Sequence, residues 1–556
     1  MSRRLALALT AGLLCVVLAT ASGAAAPIGE GRSLPTADSS AAEPGIVAVY
    51  PDPVADGDRG EFVVLRLPER ANRSTWSLTE GDAAVSLGNG TGGGRVAVAA
   101  DPGLAREHAD APVLTVPRLG LANAGERLTL RRNGTVVDEL RYGDSEEGSL
   151  YVDGEWRPLG ATAHPVTRHA VDEVRTFVLP DSPGVPAEVM AGAERRLLLA
   201  GYTFESERVT EQLVAAANRG VRVSVLLEAA PVGGRSRRAA ALLDRLVAAG
   251  VEVQVLGGPR SRYAYHHPKY AVVDDRALVL TENWKPSGTG GRANRGWGVV
   301  VPDAAVAADL ADVFERDATA VDAIPWETYR AGRSFPTADD PPANGSFPTA
   351  VPAETRSASA VELLVAPDNA ESRLQELLAG ADDRILVQQM SVDGPDGPFV
   401  TAAVAAARRG VEVRILLSGA WYVREENRRL VAHLRRVADR EDLPLAARIA
   451  EPGDDYRKIH AKGVVIDGET AVVGSLNWNT ESARDNREVA LVVNGSAAGY
   501  YERAFEADWE GDDGGGTTPT RLLALAGIVA VACAVLVARR VAFEDRSGEQ
   551  RLENWP

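Results

Sequence analysis

Lysine is nearly absent from this chain. Only four of its 60 basic side chains are lysine, in 556 residues with a net charge of −17. So strong an acidic excess is expected of proteins that work in high salt. It normally argues against recognition of nucleic acid through bulk surface charge. High salt screens that attraction in any case, so charge alone leaves the substrate open. Cysteine is scarcer still: Cys15 and Cys533 are the only two, and both lie in the end segments. Disulfides and cysteine-based metal sites are thereby excluded from the body of the chain. Leu14 before Cys15 also argues against a lipid-modified N-terminus.

Long apolar runs are confined to the ends as well. Residues 1–26 combine Arg3-Arg4, an apolar run from Leu5 to about Leu18 and a small-residue stretch, which reads as a signal peptide. Residues 522–538 form an uncharged run of 17 residues, followed by Arg539 and Arg540. This predicts a linker over 511–520, a transmembrane helix over 521–538 and a cytoplasmic tail over 539–556. The expectation is a single-pass protein of the cell membrane with its catalytic part outside. Sequons at Asn72, Asn89, Asn133, Asn344 and Asn494 would permit surface glycosylation.

Between the ends the chain changes character twice. Residues 45–160 contain short alternating runs (IVAVY, EFVVLRL, RVAVAA, RLTLRR, TVVDELRY) separated by Gly, Asn, Asp and Pro. That pattern predicts an all-β sandwich. From about residue 172 the chain repeats itself: LVAAANRGVRVSVLLE parallels AVAAARRGVEVRILLS. Each copy alternates helix patterns with short β-branched runs, as in an α/β sheet layered by helices. The halves span 172–329 and 358–510. The Pro-rich segment 330–357, with SFPTA twice, reads as a flexible linker.

The four lysines mark the chemistry. Lys269 and Lys285 belong to YHHPKYAVVDDRALVLTENWK, and Lys458 and Lys462 to KIHAKGVVIDGETAVVGSLNW. His267, Lys269 and Asp274 have the same spacing as His460, Lys462 and Asp467, 193 residues later. Thr281 and Asn283 follow the first set; Gly474, Ser475 and Asn477 follow the second. Residues two apart on a strand share a face, so each half offers an imidazole beside a fixed positive charge. Hydroxyls and amides add neutral donors. The matching ligand is a phosphate. One histidine can attack phosphorus while the other protonates the leaving oxygen. The lysines and asparagines stabilise the developing charge, so no metal or cofactor is expected.

With both H-x-K-x4-D motifs in one chain, residues 172–510 resemble the phospholipase D superfamily. The resemblance implies one active site shared by two pseudo-twofold-related halves. It implies catalytic roles for His267, Lys269, Asp274, His460, Lys462 and Asp467. It also implies a downstream acidic residue that orients the histidine, which Glu488 is placed to supply for His460. Thr281, Asn283, Ser475 and Asn477 would bind substrate. The first half departs from the pattern. Leu280-Thr281 replaces Gly-Ser, and Gly296 stands where the second half has Glu488. The carboxylate partner of His267 is therefore left open. His266 reads as a bystander. Tyr263, Tyr265, Trp284 and Trp297 read as packing aromatics, and Arg235, Arg237 and Arg238 as a solvated loop.

GEFVVLRL and LANAGERLTLRRNGTVVDELRYGD resemble the lamin-tail domain, an immunoglobulin-like sandwich. The expected function is a cell-surface, metal-independent phosphodiesterase that forms a phosphohistidine. It would hydrolyse phospholipid or transfer its phosphatidyl group. The alternatives are an extracellular nuclease of the same superfamily and a non-catalytic anion-binding adhesin. The expected partners are a phospholipid or nucleic acid substrate and the membrane through the C-terminal helix, with no protein partner evident.

Overall fold

Short β-branched runs bounded by Arg-Gly turns become buried parallel strands, and the Ala-rich stretches between them become helices. Ser206, Ser236 and Asp303 start three of these helices by accepting from backbone N–H groups in the first turn. The computed structural model describes residues 43–511, apart from 54–56, 58, 82, 110, 146, 259 and 338–341.

The first half is built on one mixed sheet. Its strands run in the order Ala323–Pro325, Glu252–Leu256, Arg222–Glu228, Arg196–Gly201, Tyr270–Val273, Arg276–Leu280, Asn294–Val301, Glu173–Leu179 and Glu354–Ser357. The second half repeats this order: Leu445–Ile449, Glu412–Leu417, Arg384–Gln389, Lys462–Ile466, Thr470–Gly474, Glu488–Asn494, Ala360–Ala366 and Thr167–His169. The last strand of each order is exchanged. Thr167–His169 precedes the first half yet pairs with Ala360–Ala366 of the second. Glu354–Ser357 precedes the second half yet pairs with Glu173–Leu179 of the first. The segment 330–357 is thus fixed at its end, and the backbone N–H groups of Ala350 and Val351 also donate to Asp181, at 2.7 Å each.

One apolar cluster joins the facing sides of the two sheets with helices Ala304–Ala318 and Ala498–Gly511. Each sheet packs its own helices on the far side. The Trp297 ring lies where a Cβ at Gly463 would be, 2.2 Å from its Cε3, so glycine permits this contact between halves. Two ion clusters brace the join. Arg487 binds Asp317 (2.9 Å) of the first half and Asp368 (2.8 Å) of its own. Its counterpart Arg295 binds Asp508 (3.0 Å) of the second half and Asp181 (2.5 Å) of its own. All six side chains are buried or nearly so.

The N-terminal domain is a two-sheet sandwich, with one sheet of six strands and one of four. Val49, Val63 and Leu65 of the larger sheet meet Trp76, Leu78 and Leu128 of the smaller across its core. Its C-terminal end reaches the Arg487 cluster: Gly160 accepts from the Tyr263 hydroxyl at 2.9 Å, and Thr162 hydrogen-bonds Asp368.

The expectation of a single-pass cell-surface protein is corrected. Among the described residues no helix is long and apolar enough to cross a membrane. The longest, Arg424–Glu441, has 18 residues and an exposed face rich in Arg and Glu. The signal peptide (1–26), the membrane helix (521–538) and the tail (539–556) lie outside the described residues, as does nearly all of linker 511–520. Arg235 also departs from expectation: it is buried, donates to the Glu228 carbonyl at 2.6 Å and lies over the Trp326 ring.

Candidate active site

Both motifs lie where the inner ends of their strands meet the opposite half. The backbone N–H of His267 donates to the carbonyl of Arg487, and that of His460 to the carbonyl of Arg295, each at 2.9 Å. Lys458–Ile459 runs parallel to the start of Asn294–Val301, and His266 bridges Arg487 in the same way. Each histidine is thus stitched by its backbone to the other half.

The carboxylates are crossed as well. Glu488 does not face His460. Both of its oxygens lie on Nδ1 of His267, at 2.8 and 3.0 Å. This corrects the assignment made within one half and fills the open place beside His267. Nδ1 of His460 instead lies 3.4 Å from its hydrogen-bond partner, the Lys462 ammonium, and faces Glu282 of the first half at 3.3 Å, a contact without hydrogen-bond alignment. The sequence reading missed Glu282. It sits between Thr281 and Asn283, at the register position of Leu476. In the strand register Gly296 matches Glu488, and a Cβ there would lie 2.2 Å from the Glu282 Cγ. The first half therefore carries its carboxylate just beyond the end of the neighbouring strand, Arg276–Leu280, and leaves the equivalent position clear. An amide holds each acid in place: Asn294 donates to Glu282 (2.9 Å) and Asn486 to Glu488 (3.3 Å). The signal available in sequence was an acidic residue ending an apolar strand, opposite a glycine.

Lys269 and Lys462 are buried, and each ammonium donates to the carbonyl of its own motif histidine, at 2.7 and 2.8 Å. Burial holds Lys269 well below the usual lysine range and brings Lys462 to about 8. Burial also brings His267 to about 4, against the pull of Glu488. It drives His460 well down too, with Lys462 and then Lys269 adding to the effect. Glu282 is pushed up to about 7 by burial. An entering anion opposes the downward shifts of the cations, because its negative charge favours their protonated forms. Asn283 and Asn477 each keep a buried side-chain oxygen without a partner, so these amides are not saturated by the protein.

The remaining predicted residues serve the frame. Asp274 and Asp467 are not brought to the site. They occupy turn positions with φ of 55° and 53° beyond the motif strands. Their carboxylates accept from the backbones of Glu194, Arg195 and Arg196, and of Asp382, Asp383 and Arg384, at 2.8–3.1 Å. The hydroxyls of Thr281 and Ser475 are taken by the backbones of Trp297 and Val489. They anchor the strand carrying the opposite carboxylate position. Tyr263, Trp284 and Trp297 are buried packing residues. His266 is fully buried, its Nε2 4.0 Å from Asp317. Tyr202, which the sequence reading did not single out, lies edge-on against His267 with ring centroids 4.6 Å apart.

The family described as cardiolipin synthase, PLD-like domain, matches residues 187–318 and 374–509, one copy in each half. Cardiolipin synthase A of Proteus mirabilis (strain HI4320) is 26% identical over 299 residues, covering 52% of this chain and 58% of that protein. Mitochondrial cardiolipin hydrolase of Xenopus laevis is 26% identical over 144 residues, covering 26% of this chain and 62% of that protein. The chain thus spans less than two thirds of the length of these curated relatives. Among solved structures, phosphatidylserine synthase of Haemophilus influenzae Rd KW20 aligns with a TM-score of 0.46 and 13% identity, covering 63% of this chain and 88% of that one. The two segments matched by the family lie outside the β-sandwich.

Proposed function

Because its two halves belong to the phospholipase D superfamily, we propose that this chain is a phosphodiesterase that works through a phosphohistidine on His267. The observation that carries the proposal is the pairing of both Glu488 oxygens with Nδ1 of His267. That bond fixes the tautomer with the proton on Nδ1 and leaves the Nε2 lone pair free to attack. It also stabilises the positive charge the ring acquires when the N–P bond forms. His460 is the general acid. Its partner Glu282 is weakly aligned and half-neutral near pH 7, which suits a ring that takes up and releases a proton.

In the first step Nε2 of His267 bonds to phosphorus, the P–O bond to the leaving group breaks, and His460 gives that oxygen its proton. In the second, water or an alcohol gives its proton to His460 and its oxygen bonds to phosphorus as the N–P bond breaks. Lys269, Lys462, Asn283 and Asn477 hold the phosphoryl oxygens. The positive charge needed in the transition state is built into the chain. The cardiolipin synthase and cardiolipin hydrolase relatives favour a phospholipid as the diester.

The test is a trapping experiment with bis(p-nitrophenyl) phosphate, whose leaving group needs little protonation. His460→Ala is expected to accumulate an acid-labile adduct on the peptide containing His267, and His267→Ala to form none. An adduct on His460, or full turnover by His267→Ala, would refute the assignment.

A further inference from the structure

Val232 and Trp421 are the two most exposed large apolar side chains among the described residues, at 74% and 85%. They are not scattered. Val232 follows strand Arg222–Glu228 and Trp421 follows Glu412–Leu417, equivalent strands of the two halves. The pseudo-twofold relation therefore sets both tips beside the one cleft. Each tip is joined to a motif by a single tyrosine. The Val232 N–H donates to the Tyr202 hydroxyl at 2.6 Å, and that ring packs against His267. Trp421 meets Tyr422 edge-on at 5.5 Å, and the Tyr422 hydroxyl accepts from Lys458 at 3.0 Å, two residues before His460. Between Gly419 and Arg424, the residues that flank the Trp421 tip, and Lys458 lies a cavity of about 400 Å³ lined by Arg424, Arg428, Arg457, Lys458 and one acid, Glu451. In a chain of net charge −17 with four lysines, four cations against one carboxylate around one cavity is a concentrated positive site.

We propose that this cleft mouth docks on an anionic phospholipid surface. Val232 and Trp421 enter the interface on either side of the cleft, and the basic cavity takes a headgroup phosphate. The inference rests on the reading of the site as phosphodiester-cleaving and gives that reading its substrate surface. Exposed apolar groups rimmed by cations match an interface of apolar chains beneath anionic headgroups. A single-stranded nucleic acid also pairs cations with aromatics, but it stacks bases on ring faces. Val232 has no such face, whereas both tips offer apolar bulk.

The test uses the full chain with vesicles of phosphatidylglycerol or phosphatidylcholine carrying acyl-chain bromines. The signal is the quenching of Trp421, taken as the difference between the wild type and Trp421→Phe, so other contacts with the vesicle do not enter it. Quenching is expected on phosphatidylglycerol and not on phosphatidylcholine. Arg428→Gln with Arg457→Gln should weaken it about 30-fold, at about fivefold per cation near an anionic surface. Val232→Asp should lower the ratio of vesicle-borne to soluble-diester turnover at least tenfold. Circular dichroism checks that each variant is folded. Absent or equal quenching on the two lipids would overturn the proposal. So would a single-stranded oligonucleotide that quenches Trp421 while vesicles do not. Quenching without turnover of the soluble diester would sink the catalytic reading and leave the docking surface standing; turnover without quenching would do the reverse.

Discussion

The relocated carboxylate makes a demanding prediction. Replacing Glu282 with Leu, the residue at the equivalent position 476, removes the acid facing His460. General-acid catalysis contributes about 10²–10⁴ in rate, or about 3–5 kcal/mol of barrier. Glu282→Leu leaves His460 in place, so it should lose up to that factor on an alkyl phosphodiester and far less on a p-nitrophenyl ester, which leaves without help. Gly296→Glu alone should be worse than Glu282→Leu. Its Cβ would stand 2.2 Å from the Glu282 Cγ, an overpacking worth about 1–3 kcal/mol, and a second carboxylate would be buried beside the first. Together the two changes recreate the arrangement of the second half, where Leu476 and Glu488 occupy these positions. Asn294 remains in place to hold the new acid, as Asn486 holds Glu488. The double variant should return to within about tenfold of wild type in kcat/KM on the alkyl diester. A double variant no better than Glu282→Leu, or a Glu282→Leu that keeps full activity on that substrate, would refute the reasoning.

Asp467→Asn should behave as a frame mutation. It weakens one of three backbone hydrogen bonds at 2.8–3.1 Å and should cost about 1–3 kcal/mol by denaturant unfolding, with kcat within twofold where the protein is folded. A hundredfold loss of kcat at native stability would return it to the site. Arg487→Met leaves Asp368 buried without its cation and Asp317 with only Arg262, 3.5 Å away. The expected cost is about 3–5 kcal/mol, partly recovered by adding Asp317→Leu; an unchanged urea midpoint would show that the cluster contributes nothing. Stability should fall on acidification. His266 and His267 are lowered by burial from 6.5 to about 3 and about 4. The unfolded chain binds these protons first, so their contribution is full above pH 6.5 and lost as pH falls towards 4, by at most about 3 kcal/mol for His267. Glu228 and Glu282, raised by burial from 4.5 to about 7, have the opposite sign: their contribution is full below pH 4.5 and lost as pH rises through 7. His266→Leu should flatten the acid limb in urea midpoints measured between pH 6.5 and 4. An unchanged limb would show that His266 is not part of it.

Much of the fold could be read from the chain because it is written twice. Apolar runs bounded by Arg-Gly turns recur in the same order, and a repeated H-x-K in a lysine-poor chain points to one chemistry. The β-sandwich was legible for a similar reason, since alternating runs report their own period. What was not legible depends on contacts between the copies. A repeat predicts a partner in the same copy, so Glu488 was assigned to His460, whereas strand exchange and the parallel pairing of each motif with the opposite half turn it towards His267. Glu282 was hidden because alignment to the second half places it at a leucine. Asp274 and Asp467 share the motif spacing with the histidines, but spacing does not distinguish a residue facing the site from one holding the turn at the far end of the strand. Arg235 read as solvated because its neighbours Arg237 and Arg238 are exposed. Its own burial comes from Trp326, far along the chain.

The crossing also argues for how many sites the chain holds. If each half carried its own site, His267 and Glu282 would serve one and His460 and Glu488 the other. The structure gives the opposite pairs. Each histidine takes its backbone hydrogen bond, its carboxylate and part of its electrostatic field from the half it does not belong to. The arginine beside each carboxylate position, Arg295 and Arg487, is neutralised by an aspartate of the other half. Separating the halves would therefore leave two buried arginines each short of a carboxylate and two histidines without an acid, at several kcal/mol for each uncompensated charge. With Glu282 pushed up to about 7 by burial, the two buried lysines exceed the charged carboxylates, and the negative charge of one phosphodiester would complete that balance. Neither half contains the lysines and carboxylates to do so alone.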